Sequence, residues 1–197
     1  VRAYSTCLRG QLSSNVRPRM TTALPAFRYH PFPLQTGAVK PSTEACACCG
    51  QSRGFVYTAS VYGSSELRGK LCPWCIADGS AARRFDLFFS DDHPLLKSGV
   101  PKGIVDEVTR RTPGYISWQQ EEWLSHCGDA CEFHGDASPT DLSAATPESK
   151  QAILDAYRLT EKQWSEITSA YEPGGDPAIY KFVCRHCAQV RFGWDCS

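Results

Sequence analysis

Eleven cysteines among 197 residues are the first chemistry this sequence offers, and five of them fall between Cys46 and Cys75. Cys46-Ala-Cys-Cys49 and Cys72-Pro-Trp-Cys75 are Cys-x-x-Cys pairs with 22 residues between them. Two residues between thiolates let a tight turn aim both sulfurs at one ion, and four such sulfurs satisfy tetrahedral zinc. The predicted ligands are Cys46, Cys49, Cys72 and Cys75, and the predicted cofactor is zinc. Three other chemistries compete. A thioredoxin-type redox pair sits at a helix N-terminus, where the thiolate is favoured, but no βαβ pattern surrounds Cys72 and Cys75 and a matching pair stands upstream. A zinc deaminase needs proline before its Cys-x-x-Cys and an upstream His/Cys-x-Glu. Here Pro73 follows Cys72 and no such triplet precedes it. Buried free thiols are common singly, and five at metal spacing argue against them.

Cys184-Arg-His-Cys187 is a second knuckle, placed on a hairpin tip as in half of a zinc ribbon. Its nearest untaken partners lie in His126-Cys127-Gly-Asp-Ala-Cys131. A second site would join Cys127, Cys184 and Cys187 to a fourth ligand from His126, Cys131 or His186. On a continued helix Cys127 and Cys131 would share a face, although Gly128 argues against continuation. The same region could instead be reactive. A three-ligand zinc with an open position activates water, and Cys127 beside His126 could be a nucleophile with its base. Adjacent helical side chains diverge by about 100°, which places His126 badly for deprotonating Cys127 directly. The preferred reading makes Trp118 and Trp123 core and Cys127 a structural ligand or a buried thiol.

These residues need elements to hold them. Gly54-Phe-Val-Tyr-Thr58 is strand-like, Val61-Tyr62 is a second short apolar run, and Gly63-Ser-Ser65 breaks the pattern, so the segment between the first two knuckles reads as a hairpin. Ile76 to Phe85 can form a helix despite Gly79. Knuckle, hairpin, then Cys-x-x-Cys on a helix's first turn is the order of parts in a treble-clef zinc finger. Upstream, Phe27 to Ser42 holds three prolines and reads as an extended arm with turns at Tyr29-His30-Pro31 and Thr36-Gly37. His30 there is expected to pack and hydrogen-bond rather than act. Asp91-Asp-His-Pro94 reads as a solvated cap. Pro101 to Arg111 suits a helix with Ile104, Val105 and Val108 on one stripe, stopped by Pro113-Gly114. Ser117 to Cys127 is predicted as a second helix, with Ser117 as cap, Gln120 in the capping-box position and Gly128 as stop. Pro147 to Tyr157 and Glu161 to Tyr171 read as two more, the latter opened by a Thr160–Gln163 capping box. After the Pro173–Pro177 break comes strand, knuckle and strand, Ala178 to Trp194.

Formal net charge is zero, poor support for a nucleic-acid or membrane-surface binder, which usually shows a basic excess. No apolar run approaches the roughly 18 residues of a membrane span. The chain has no signal-peptide core, an odd cysteine count and closely paired cysteines. Metal in a reducing cytoplasm therefore fits better than a disulfide framework. Val1 to Arg19 carries four arginines and no acid, and Met20 is the only methionine. It matches a mitochondrial-type presequence, or an upstream GTG codon written as Val with translation starting at Met20. The second is preferred, and residues 1–19 are expected to be mobile or absent, which would leave a mildly acidic chain. The predicted organisation is a leader at 1–19, an arm at 20–45, a four-cysteine zinc module at 46–95, and a helical segment with a C-terminal hairpin at 96–197, packed as one unit with the module. The fold class is α+β.

The stretches FRYHP, CACCGQSRGFVYT, LCPWCIADGSAARRFD, VTRRTPGYISWQQEEWLSHCGDA and FVCRHC resemble the CbrC family of bacterial proteins, named for a member linked to tolerance of a nuclease colicin. The resemblance covers Ala26 to Asp195. It implies metal-ligand roles for Cys46, Cys49, Cys72 and Cys75. It also implies importance for Trp118, Gln119, Gln120, Trp123, His126, Cys127, Cys184 and Cys187, without assigning roles. The chain departs from the family pattern at Cys131, where a small apolar residue is usual, at Ala188, where glycine is, and at Phe32, often an acid. A second ligand role for Cys131 and a regular second knuckle are thereby put in doubt. The first function class is a zinc-stabilised cytoplasmic binding or adaptor protein in bacterial stress or colicin tolerance, acting through a protein partner, with Trp118, Gln119, Gln120 and Trp123 as binding surface. The second is a zinc- or thiol-dependent, hydrolase-like enzyme using His126 and Cys127, and a third is a Cys-x-x-Cys redox protein. A binder should fill every zinc position. An enzyme should show a pocket lined by Trp118, Glu121 and His126.

Overall fold

A computed structural model describes residues 23–197. The arginine-rich leader at 1–19 and the start expected at Met20 lie outside the described residues. The described residues form short helices and three small antiparallel sheets.

The proline-rich arm packs inward. Tyr29 and His30 are fully buried. His30 Nδ1–H donates to the Pro113 carbonyl at 2.8 Å, which fixes the tautomer and leaves Nε2 to accept the Thr36 hydroxyl at 2.7 Å. The arm ends in β1 (Val39–Pro41), antiparallel to β2 (Phe55–Tyr57) with Val39 opposite Tyr57. The other edge of β2 takes the segment that leads into Cys72: Tyr57 N donates to Leu71 O at 2.8 Å and Gly69 N to Tyr57 O at 2.9 Å. The hairpin expected between residues 54–58 and 61–62 does not form, and Tyr62 instead bridges to Phe88. Val39, Tyr57 and Leu71 are almost wholly buried, so the distant segments cover apolar side chains that a return at Tyr62 would leave open.

After Cys72 the expected single helix is two, α1 (Pro73–Ala77) and α2 (Ser80–Phe85), divided at Gly79 with φ +73°. Pro73 takes the first helical position, where its missing N–H removes no bond. α3 (His93–Lys97) begins at the Asp91–Pro94 turn, where Asp91 Oδ1 accepts the His93 N–H at 3.0 Å. α4 (Lys102–Arg111) buries Val105 and Val108, as its apolar stripe requires.

The helix expected over Ser117–Cys127 is absent. Residues 117–124 are irregular, because long-range partners take the groups a helix would use. Trp118 N and Gln119 N donate to Asp195 Oδ2 at 2.6 and 3.3 Å. Glu122 N donates to the Tyr115 hydroxyl at 2.8 Å, and Trp123 Nε1 to Cys131 O at 2.9 Å. Tertiary bonds of this kind override a propensity of a few tenths of a kcal/mol per residue. The chain then enters a two-residue hairpin, β3 (Ser125–His126) and β4 (Asp129–Ala130), turned by Cys127 and Gly128 at φ +52° and +72°. Gly128 is therefore a hairpin-turn residue and not a helix stop.

β5 (Glu132–Asp136) opens the largest sheet. α5 (Pro139–Ser143), α6 (Pro147–Tyr157) and α7 (Glu161–Ser169) follow, and β6 (Ala178–Val183) and β7 (Val190–Asp195) complete it in the order β5-β6-β7. The Thr160–Gln163 capping box is present. β6 alternates as a strand buried on both faces must. Ile179 meets Ile153, Leu154 and Trp164, while Tyr180 and Phe182 meet Tyr29, Tyr115, Trp123 and Phe133. No described helix is long and apolar enough to cross a membrane.

Candidate metal centres

The first knuckle is built by its backbone. Gly50 N donates to Cys46 O at 2.7 Å, Cys46 N to Gln51 O at 3.0 Å, and Cys48 N to Cys46 Sγ at 3.4 Å. Gly50 makes this turn at φ +70°, a conformation that glycine enters without steric cost. Cys72 and Cys75 arrive on the first turn of α1, and Cys72 N adds a second bond to Cys46 Sγ at 3.2 Å. Cys46 Sγ lies 3.9 Å from Cys75 Sγ, Cys49 Sγ lies 3.8 Å from Cys72 Sγ, and all four sulfurs fall within 4.8 Å of one another. Sulfurs this close share protons. The hydrogen bond with Cys72 holds the Cys46 thiol down to about 4 and pushes Cys72 far up, and burial pushes Cys75 up to about 12. A cation among them is the ordinary way to ionise all four at once, so this donor set fits a zinc ion. Cys48 points elsewhere, with its sulfur 3.6 Å from Ser80 Oγ.

The second cluster joins two hairpins. Cys184 and Cys187 sit at the turn between β6 and β7, and His126 and Cys127 at the turn between β3 and β4. Nδ1 of His126 lies 3.3 Å from Cys127 Sγ and 3.4 Å from Cys187 Sγ, and these two sulfurs are 3.8 Å apart. With Cys184 they form four donors within 4.8 Å of one another. Burial would raise the Cys184 thiol, but backbone N–H bonds from Cys187 and His186 hold it down to about 6. The hydrogen bond with Cys187 pushes Cys127 up to about 11. His126 and Cys127 are adjacent, yet their side chains converge. The 100° divergence expected of helical neighbours does not apply on a turn with Cys127 at positive φ. Of the candidate fourth ligands only His126 is brought to the cluster. Cys131 is fully buried in the core, its thiol pushed up to about 12 by that burial. His186 Nε2 lies 2.9 Å from Asp129 Oδ2.

The second knuckle repeats the bonds of the first. Ala188 N donates to Cys184 O at 2.9 Å, Cys184 N to Gln189 O at 2.9 Å and His186 N to Cys184 Sγ at 3.5 Å. Ala188 holds φ +59° where Gly50 holds +70°, so the turn expected to be less regular keeps its bonds. Cys46-Ala-Cys-Cys-Gly-Gln51 and Cys184-Arg-His-Cys-Ala-Gln189 are thus one motif used twice. The shared glutamine position is a signal that reading the cysteine spacing alone overlooks.

Residues 24–196 match an uncharacterised protein family, UPF0167. The chain belongs to this family. UPF0167 protein PA1536 of Pseudomonas aeruginosa is 50% identical over 177 residues, covering 89% of this chain and 99% of that protein. UPF0167 protein Mb2317 of Mycobacterium bovis and UPF0167 protein MT2352 of Mycobacterium tuberculosis are each 41% identical over 167 residues, covering 83% of this chain and 89% of each relative. No solved structure matches.

In this UPF0167 member the expected binding surface divides. Trp118 is 57% exposed and Gln119 and Gln120 are exposed, whereas Trp123 is 1% exposed and belongs to the core. Trp118, Glu121 and His126 do not share a pocket. Glu121, Gln119 and Gln120 line a cleft of about 530 Å³, and Trp118 lines a separate groove of about 660 Å³. Two acids stand beside the second cluster, Asp129, which the sequence already placed next to His126 and Cys127, and Glu148, which carried no local signal. Glu148, in the first turn of α6, places Oε1 4.0 Å from His126 Nε2. Asp129 collects the Tyr29 hydroxyl at 2.9 Å as well as His186. Only the fold brings Glu148 to His126.

Proposed function

We propose that this protein is a binding or adaptor protein whose fold is held by two structural zinc ions. The observation that carries the reading is the donor count. Cys46, Cys49, Cys72 and Cys75 make one set of four, and His126, Cys127, Cys184 and Cys187 make another. Four donors close a tetrahedral zinc and leave no position for water or substrate. The first set is read as a treble-clef-like centre, with the chain around 46–95 organised on it. Bound there, each zinc would cross-link segments far apart in the chain, so binding energy would become folding energy. The helical segment, 96–197, is read as one unit with this module. In support, Phe89 N donates to Thr109 O at 2.7 Å and Arg111 Nε to Ala77 O at 3.0 Å. The resemblance to the CbrC family supports a role in bacterial stress or colicin tolerance, exerted through a protein partner in the cytoplasm. The exposed Trp118, Gln119 and Gln120 are the surface proposed for that partner.

Native mass spectrometry of the wild type and of Cys127→Ser tests the reading. Two zinc ions falling to one are expected, and a single zinc in both would overturn it. That second outcome favours the alternative, an enzyme working through the second cluster, for which the structure supplies one observation. The Cys127 sulfur lies 3.3 Å from His126 Nδ1, within reach for a thiol and its base when no metal holds them.

A further inference from the structure

The two clusters use one knuckle motif, yet they differ in what solvent reaches. In the first, Cys46, Cys72 and Cys75 are buried and only Cys49 is exposed. In the second, Cys184 is buried, and Cys127 and Cys187 are both exposed. These two exposed sulfurs are also neighbours, 3.8 Å apart across the β3–β4 and β6–β7 turns. The exposed Cys49 sulfur has only buried cysteines around it, with that of Cys72 at 3.8 Å.

Hydrogen bonds differ in the same sense. Cys46 Sγ accepts the N–H groups of Cys48 and Cys72, and Cys184 Sγ accepts that of His186. Donors of this kind draw electron density from a sulfur ligand and tune its reactivity. Among the described residues, the sulfurs of Cys127 and Cys187 meet side chains only, His126 Nδ1 and the thiols of the cluster. An oxidant-sensitive cysteine is a thiolate, open to solvent, beside a second cysteine that resolves the first oxidation. Zinc ionises the thiols it binds. With zinc bound, Cys127 and Cys187 meet all three conditions, and no pair in the first cluster does. Disulfide sulfurs stand roughly 2 Å apart, so the pair must close by roughly 2 Å. Both residues stand in hairpin turns rather than within strands.

We propose that Cys127 and Cys187 are a peroxide-sensitive pair, and that a disulfide closing between them releases the second zinc ion. The proposal rests on the two-zinc reading above. One of the two thiolates attacks hydrogen peroxide: a sulfur–oxygen bond forms, the oxygen–oxygen bond breaks and hydroxide leaves. The other thiolate attacks that sulfur, forming the sulfur–sulfur bond and expelling a second hydroxide. The two sulfurs together give up two electrons, which the peroxide takes. His126 and Cys184 remain as two donors, too few for a tetrahedral zinc site. The disulfide joins the same two turns, whose cysteines are 60 residues apart, so the cross-link is exchanged rather than lost.

Hydrogen peroxide added to the full chain with its zinc tests this, followed by native mass spectrometry and tryptic mapping. Trypsin cuts after Arg185 and so separates Cys184 from Cys187. One zinc ion of two should be lost, together with the appearance of a link between peptides 112–150 and 186–191. Fragmentation should place that link at Cys127 and not at the buried Cys131. The far-ultraviolet spectrum should hold, and dithiothreitol with added zinc should restore the second ion. Both ions leaving together, oxidation of the first cluster before the second, or zinc loss without a Cys127–Cys187 link overturns the proposal. Two zinc ions that survive peroxide also overturn it and leave the scaffold reading intact. A single ion before peroxide is added overturns the two-zinc reading and this proposal with it.

Discussion

Ala188 stands at φ +59° in the second knuckle, where the first has Gly50. A left-handed conformation costs an L-residue roughly 1–2 kcal/mol, part of which glycine gives back through its freer unfolded chain. Ala188→Gly should therefore stabilise the protein by up to about 1 kcal/mol, read as a raised urea midpoint. Gly50→Ala should lose a similar amount, since no atom crowds the added methyl and only the backbone objects. An unchanged midpoint in both variants would contradict the equivalence of the two knuckles. His30 makes a second residue-scale prediction. Burial lowers its pKa from 6.5 to about 4, so between these values the unfolded chain takes up a proton that the folded chain refuses. Stability must then fall as pH drops from about 6.5 to about 4, by about 3 kcal/mol from this residue. His30→Gln removes that slope. The difference in unfolding free energy between variant and wild type should change by this amount across the window, because both proteins carry the same thiols. A difference that stays flat would show that His30 is not buried neutral.

At the scale of elements, α4 and the chain that leaves it show how closely the parts meet. A Cβ on Gly114 would lie 1.9 Å from Phe89 O and 2.9 Å from the Tyr57 hydroxyl. Backbone cannot give way there as a flexible side chain does, so Gly114→Ala should destabilise by about 3 kcal/mol or more. Gly103, within α4, has nothing near its Cβ position, and Gly103→Ala should stabilise by up to about 1 kcal/mol through helix propensity. Thermal melts of the pair check both signs at once. α4, α6 and α7 were legible in the sequence because period, caps and stops lie within the element itself. Ser117–Cys127 carries the same local signs and is not helical. Asp195, Tyr115 and Cys131 claim its donors, and these partners are far off in the chain or act on side chains that a helix would turn elsewhere. β1 was likewise hidden in the arm, because three strand residues have no period to read.

For the whole molecule, metal held at the two clusters would be a pair of long-range cross-links. Complete removal of metal should lower the midpoint and the cooperativity of unfolding, since Cys46, Cys72 and Cys75 are themselves buried in the core that Tyr57, Leu71, Ile76 and Phe89 share and would be left there as clustered thiols. An unchanged far-ultraviolet spectrum and melting temperature after verified removal would refute structural roles for both. The pairing of thiols within each knuckle, the strand–knuckle–strand ending and three of the helices could be read from the chain alone. All of these rest on residues a few positions apart, where spacing and periodicity act directly. That His126 and not Cys131 or His186 meets Cys127, Cys184 and Cys187 is visible only in the folded chain. The same holds for the arm strand that covers β2, and for the burial of Glu121 against the Tyr62 hydroxyl. Each of these depends on where separate segments stop against one another, which is set by buried surface and long-range hydrogen bonds that no local pattern encodes.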